Sequence, residues 1–105
     1  MKIQDLLTDE SKWTKGRNAR DAQGNGVASR TPEAAAWCLQ GAMWKCYGNE
    51  AEAIAVAHKM AEALPPTGRG ELDDGRDPFS ELVNWNDLTT TTFSDVRRLV
   101  TELDI

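Results

Sequence analysis

The chain has 105 residues and a formal net charge of −5, with 40% hydrophobic and 28% charged residues. This length predicts a single domain over residues 1–105, and the composition excludes wholesale disorder. No run of about 18 apolar residues is present for a membrane span. The first residues also lack the apolar segment of a signal peptide. We therefore expect a cytoplasmic protein that does not enter a membrane.

The first predicted element is a short helix over residues 2–9. Ile3, Leu6 and Leu7 are spaced so that they share one face of it. A helix of this length is marginal in isolation, so we expect it to dock on a larger element.

A β-hairpin is predicted next, within residues 13–30. Three glycines in this stretch discourage a helix, and Asn25-Gly26 is a favourable turn dipeptide. We expect residues 15–20 to pair with residues 26–29, and Trp13 to anchor the hairpin to the helical core. An ordered loop without strand pairing is the alternative.

Residues 31–48, TPEAAAWCLQGAMWKCYG, predict the central helix. Thr31 can cap it, Pro32 suits its first position, and Gly48 tolerates the left-handed conformation that commonly ends a helix. The stretch is apolar on nearly all sides, which is typical of a buried helix.

A second long helix is predicted from its cap at Asn49 to a position near Leu64. The break between the two long helices is only one or two residues, so we expect them to form an antiparallel pair. The run of residues 67–77 is rich in glycine and acidic residues and predicts a solvated loop.

Two shorter helices are predicted at the C-terminal end. One begins at Asp77-Pro78 and ends near Trp85, followed by the turn residues Asn86 and Asp87. The other is capped by Thr92. The predicted fold is mostly α, with α+β at the margin. It consists of a central antiparallel helix pair, shorter flanking helices and one small β-hairpin.

The thiols and the histidine give no firm catalytic signal. Cys38 and Cys46 would lie about 12 Å apart along one helix, beyond the roughly 7 Å limit for a disulfide, so we interpret both as reduced. A Cys38–His58 nucleophile–base pair is the sharper hypothesis. A cysteine in the apolar middle of a helix is inert, however, which favours a structural role for both residues.

No metal or cofactor site is predicted. Asp73, Asp74 and Asp77 surround Gly75 but lack the alternating order of a calcium-binding loop. The GNG and GRG sequences do not fit a phosphate-binding fingerprint. We expect no catalytic residues and no bound cofactor.

The candidate binding residues come from the hairpin and from the turn after the fourth helix. Tryptophan and arginine are the residue types that dominate interaction hot spots. The alternatives are that the tryptophans fill the core and that Arg20-Asp21 is an internal ion pair or a turn lock. The predicted partner- or ligand-binding residues are Trp13, Arg17, Arg20, Asp21, Trp85, Asn86 and Asp87.

Charge is unevenly distributed along the chain. Residues 12–30 contain five basic residues against one acidic residue, a local charge of +4. An acidic protein is a poor general binder of nucleic acid, although such a local surface can hold a phosphate or an acidic partner.

Three sequence pieces occur in an order that resembles a known family. They are WTKGRNARDAQG at residues 13–24, AAAWCLQGA at residues 34–42 and WND at residues 85–87. The resemblance is to small uncharacterised bacterial and phage proteins with a WxxGxxARD hairpin, a WCxxGA helix and a WND turn. It carries no activity. It implies a bacterial or phage cytoplasmic setting. It also implies a cluster of eight residues, which are Trp13, Arg20, Asp21, Trp37, Cys38, Trp85, Asn86 and Asp87.

We expect a non-enzymatic binding or regulatory protein, encoded by a bacterium or phage, that acts on another protein. The first alternative is a module that binds a small ligand or phosphate, or a small enzyme, using the hairpin arginines and the residues 85–87. The second is a nucleic-acid contact through residues 12–30, which the overall charge disfavours.

Overall fold

The computed structural model describes residues 1–64 and 78–105. The first half contains helix α1 (Ile3–Leu6), a 3₁₀ turn (Glu10–Lys12) and strands β1 (Ala19–Arg20), β2 (Gly26–Val27) and β3 (Ala36–Trp37). Helices α2 (Leu39–Cys46), α3 (Glu50–Ala63), α4 (Pro78–Asp87) and α5 (Phe93–Leu103) follow. The protein is mostly α-helical with a small antiparallel sheet, as the sequence predicts.

The predicted hairpin is present but shorter than expected, and it belongs to a three-stranded sheet. Strand β1 lies in the centre, antiparallel to both β2 and β3. Ala19 faces Val27 on one side and Trp37 on the other. The connecting loop takes its positive φ, 88°, at Gly24 and not at the predicted Asn25-Gly26 turn.

Residues 31–48 do not form one helix, so the prediction of a helix starting at Thr31 is wrong. Residues 36–37 form β3, and helix α2 begins only at Leu39. The Ala35 N–H donates to Arg20 O at 2.7 Å, and the Cys38 N–H donates to Asn18 O at 3.1 Å. These long-range hydrogen bonds to the hairpin override the local preference of an alanine-rich stretch for helix.

Both ends of α2 differ from the prediction. Cys38, predicted in the middle of the helix, is its N-cap, and its Sγ accepts from the Gly41 N–H. At the other end Tyr47 is the C-cap with φ −115°. The left-handed conformation expected at Gly48 is absent, because the positive-φ glycines of the described chain are Gly16 and Gly24.

The caps of the two longer helices are as predicted. The Asn49 side chain accepts from the N–H groups of Ala51 and Glu52 at the start of α3. Thr92 and Asp95 form a reciprocal capping box at the start of α5. The first helix is shorter than predicted, and the chain continues into the 3₁₀ turn.

Asn86 and Asp87 lie in the last turn of α4, so the prediction that they form a turn after Trp85 is wrong. Asparagine often ends a helix because its side chain competes for nearby backbone groups. The Asn86 amide is instead bonded to other segments of the chain, so this competition is removed.

Helices α2 and α3 hold the centre of the fold. Helix α2 packs against α1, α3 and α4, and α3 packs against α2, α4 and α5. The largest fully buried apolar side chains are Ile3, Leu7, Leu39, Met43, Met60, Leu82, Val96 and Val100. The predicted solvated loop at residues 67–77 lies outside the described residues.

Candidate functional site

The loop before β1 is fixed to the C-terminal end of α4. Gly16 has φ +81°, a conformation that favours glycine. Its N–H donates to Asp87 Oδ1 at 3.0 Å. Nearby, the Lys15 ammonium donates to Leu88 O and to Thr91 O. The hairpin and α4 therefore form one continuous surface.

The buried side chain of Asn86 connects the segments that form this surface. It is fully buried. Its Oδ1 accepts from Trp13 Nε1 at 2.7 Å and from the Leu39 N–H at 3.1 Å. Its Nδ2 donates to Thr14 O at 3.1 Å and to Asp87 Oδ1 at 3.0 Å. Both lone pairs and both amide hydrogens are used, so Asn86 has no capacity left for a ligand.

Arg20 serves the conformation of the hairpin. Its guanidinium donates to Thr14 Oγ1 at 2.9 Å, to Lys15 O at 3.1 Å and to Gly24 O at 2.9 Å. These bonds hold together the loop before β1 and the loop after it. Arg20 thus lies close to Gly16, although its donors are used by Thr14 Oγ1 and by two backbone carbonyls.

Asp21 is a turn lock. Its Oδ1 accepts from the N–H groups of Gln23 and Asn25, both at 2.9 Å. Hydrogen bonds from the Asn25 and Gln23 backbone lower the pKa of Asp21 below its usual value. Of the two sequence interpretations of Arg20-Asp21, the turn lock is correct.

The tryptophans of the predicted site are packed within the fold. Trp85 is 5% exposed. Trp13 is half-buried, with the Lys15 Nζ 5.3 Å from its ring centroid and the Phe93 ring 6.3 Å away. The hydrogen bond from Trp13 to Asn86 confirms that Trp13 anchors the hairpin to the helices.

Arg17 and Asp87 are the two predicted residues that reach an open cleft. This cleft has a volume of about 270 Å³. It lies where the hairpin loop, the start of α2 and the end of α4 meet, and its lining residues are Gly16, Arg17, Asn18, Cys38, Val83 and Asp87. We call it the Arg17–Asp87 cleft.

Cys38 lies in this cleft and was not among the predicted binding residues. Its Sγ accepts from the Gly41 N–H at 3.3 Å and lies 3.8 Å from Asn18 Oδ1. Burial raises the pKa of the Cys38 thiol, and the neighbouring Asp87 carboxylate adds to the rise. The thiol is therefore neutral. The signal that could have found it is the Trp37-Cys38 pair of the WCxxGA sequence, which the family resemblance already included.

The hypothesis of a Cys38–His58 pair receives no support from the geometry. His58 is an exposed residue of α3. The hydrogen-bond partners of the Cys38 Sγ are the Gly41 N–H and the Asn18 side chain.

A second depression lies beside the cleft. It measures about 310 Å³ and is lined by Gln40, Phe79, Ser80, Val83 and Asn84. Val83 lines both depressions. The Phe79 ring stacks on Trp44, with centroids 5.6 Å apart and planes 11° from parallel.

A buried acceptor marks this second depression. Gln40 Oε1 is shielded from solvent and accepts no hydrogen bond from the described chain. We call the two depressions together the α4 groove.

A larger cavity of about 350 Å³ lies between α3, α4 and α5. Trp85 is the one predicted site residue that lines it. Its other lining residues include Leu88, Thr91, Arg98 and Leu99. None of its lining residues also lines the α4 groove.

The basic residues of the hairpin region are largely used within the fold. Lys15, Arg20 and Arg30 each donate to backbone carbonyls. The charged ends of the Lys12 and Arg17 side chains make no hydrogen bond with the part of the chain that the structure describes.

Neither a metal cluster nor a membrane span occurs in the described ranges. No three metal-ligating side chains of residues 1–64 and 78–105 lie together. Within the same ranges, no helix combines the length and the apolar character that crossing a bilayer requires.

The sequence of residues 2–103 matches the family of unknown function DUF6197. The chain belongs to this family. The resemblance to a small uncharacterised family is thereby confirmed. No curated protein and no solved structure matches the chain.

Proposed function

We propose that this DUF6197 member is a non-enzymatic regulatory protein of a bacterium or phage that acts in the cytoplasm by docking on another protein. We further propose the α4 groove as the docking surface and an extended segment of the partner as its occupant. The observation that carries this proposal is that both depressions are lined by α4 residues and share Val83.

The length of the groove supports an extended segment. Its α4 residues run from Phe79 to Asp87, a rise of about 12 Å at 1.5 Å per residue. That distance corresponds to about four residues of extended chain at 3.3 Å each.

The chemistry of the groove supports a partner segment that is apolar at one end and acidic at the other. At one end Phe79 and Val83 offer apolar contact, and the Gln40 acceptor awaits an N–H donor. At the other end Arg17 offers a guanidinium without a carboxylate partner in the described chain. Aromatic and arginine side chains are the usual anchors of protein interfaces.

The neutral state of Cys38 supports a binding role over a catalytic one. A nucleophilic cysteine needs a lowered pKa, whereas burial raises the pKa of this thiol.

The docking proposal is tested with Val83→Asp, which places a charge at the centre of the groove. The matched control is Ile54→Asp on α3, because Ile54 is an exposed apolar residue, 38% accessible, outside the groove lining. Each purified protein is used to retain partners from host lysate, and the affinity of the retained partner is then measured by calorimetry.

We expect wild type and Ile54→Asp to bind the same partner, and Val83→Asp to bind at least tenfold more weakly, about 1.4 kcal/mol. Equal affinity for Val83→Asp, or no reproducible partner for the wild type, contradicts the proposal.

A second candidate function is binding of a small ligand in the Arg17–Asp87 cleft alone. The observation that favours it is the presence of two opposite charges in one small cleft. A nucleic-acid contact is less well supported, because Lys15, Arg20 and Arg30 already donate to carbonyls. Affinity that does not fall with added salt would exclude that contact.

A further inference from the structure

Two opposite charges line the Arg17–Asp87 cleft without pairing with each other. The ion pair of the described chain is Lys2 with Asp104. The nitrogens of Arg17 and the carboxylate oxygens of Asp87 are therefore more than 4.0 Å apart. A ligand placed between them can contact both.

Arg17 is held by its stem and not by its charged end. A Cβ at Gly26 would lie 3.2 Å from Arg17 Cδ, so the aliphatic part of Arg17 packs across strand β2. The guanidinium makes no hydrogen bond with the described residues. It is thus a positioned group whose donor fork is available to a carboxylate.

Asp87 is fixed through one oxygen and available through the other. Its Oδ1 accepts from the Gly16 N–H and from Asn86 Nδ2, both at 3.0 Å. No donor of the described chain reaches Oδ2. This oxygen can accept from an ammonium group.

The end of α4 favours an ammonium beside Asp87. Asp87 is the last residue of this helix, where the helix dipole is negative. A carboxylate is favoured toward Arg17, and an ammonium toward Asp87.

The size of the cleft limits the ligand. Drug-sized ligands occupy pockets of about 300–1,000 Å³. At about 270 Å³ the cleft lies below that range, so it suits a smaller molecule such as a free amino acid.

We propose that the Arg17–Asp87 cleft binds a free α-amino acid. Its carboxylate contacts the Arg17 guanidinium, its ammonium contacts Asp87 Oδ2, and its side chain lies toward Val83 and Cys38. This inference rests on the small-ligand form of the proposed function and does not require the docking of a protein.

The test is calorimetric or NMR titration with each of the twenty free L-amino acids. The tightest binder is then compared with its carboxamide, which lacks the carboxylate, and with its N-acetyl derivative, which lacks the ammonium. We expect each modification to weaken binding at least tenfold.

Two variants assign the two contacts. Arg17→Gln removes the guanidinium, and Asp87→Asn removes the charge while its Oδ1 can still accept from Gly16 and Asn86. We expect Arg17→Gln to bind the amino acid and its amide equally, and Asp87→Asn to bind the amino acid and its N-acetyl derivative equally. Lys12→Gln, which removes an exposed cation outside the cleft lining, should bind as wild type.

Three outcomes overturn the inference: no amino acid binds, binding survives both modifications, or both variants bind as wild type. Thermal melting of each variant shows that it is folded. Failure here leaves the docking proposal intact, because docking is measured with a protein partner and with Val83→Asp.

Discussion

Asn86 joins three parts of the chain through one buried amide. It connects helix α4 to Trp13 and Thr14 before the sheet and to Leu39 at the start of α2. The bond to Leu39 is buried, and the bonds to Trp13 and Thr14 are partly buried. A polar group left unpaired in a buried site costs about 1–3 kcal/mol. The stability of this corner therefore depends on one side chain.

We expect Asn86→Ala to lower the free energy of unfolding by about 3 kcal/mol or more, because the Trp13, Leu39 and Thr14 groups lose their partner. Urea denaturation measures this loss. Asn84→Ala, an exposed change on the same helix, should stay within about 0.5 kcal/mol of wild type. A loss below 1 kcal/mol for Asn86→Ala would show that water replaces its amide.

At the scale of single residues, the sequence named side chains that the fold brings together, but it did not show how their polar groups are used. Trp13, Arg20 and Asn86 are residue types that bind partners, yet their donors and acceptors are used internally. The residue type alone does not reveal this. The Asn86 partner Trp13 lies 73 positions away in the chain. Only the fold shows that Arg17 and Asp87 remain open.

At the scale of elements, the start of α2 is shaped by its contact with the hairpin loop. A Cβ at Gly41 would lie 1.8 Å from Asn18 O, so only glycine permits this approach. The same loop carbonyl accepts from the Cys38 N–H. The position of α2 against the sheet therefore depends on the absence of a Cβ at Gly41.

We expect Gly41→Ala to destabilise the protein, although alanine in an exposed helix interior is about 1 kcal/mol more favourable than glycine. The loop or the helix must move to accept the methyl group, at a cost of about 1–3 kcal/mol. Thermal melting checks the sign. The control Gly48→Ala should melt within a few degrees of wild type, since the nearest atom to its Cβ is 4.0 Å away. A stabilised Gly41→Ala protein would contradict the close approach.

The elements that were predicted correctly carry their own start signals. Asn49 and Thr92 cap α3 and α5 through hydrogen bonds within three residues. The strand at Ala36–Trp37 was missed because its partner is Ala19–Arg20, and no signal within residues 31–48 marks that pairing. Sequence patterns predict contacts between residues that are close in the chain, whereas the third strand forms through a contact with a distant segment.

At the scale of the whole molecule, α1 closes the fold against the C-terminal residues. The Gln4 N–H donates to Ile105 O at 3.1 Å, and Lys2 pairs with Asp104 at 2.6 Å. Ile105 itself is 4% exposed. Helix α1 also packs against α2, whose last residue is Cys46. The burial of Cys46 therefore reports on this closure.

We expect the protein to lose stability between about pH 9 and pH 11 through Cys46. Burial raises the pKa of this thiol to about 11, from 9.0. The unfolded chain releases the proton at lower pH than the folded one, so the contribution is complete below pH 9 and is lost toward pH 11.

The measurement is urea denaturation at pH 8 and pH 10.5 for wild type and for Cys46→Ala. The wild type should lose more stability over this interval than the variant, in which the other titrating groups are unchanged. If the wild type and the variant lost equal free energy of unfolding over this interval, the Cys46 thiol would be solvent-exposed in the folded protein.

The Asn86 junction also has a consequence for how long the native state lasts. Its bonds to Trp13 and Leu39 span 73 and 47 positions, so they close long loops whose entropy opposes their early formation. We expect these contacts to form after the folding barrier, so Asn86→Ala should unfold faster while its refolding rate stays near that of the wild type, which stopped-flow kinetics in urea measures. The Asn86 amide would then affect the unfolding rate, and with it the lifetime of the folded chain, more than the folding rate.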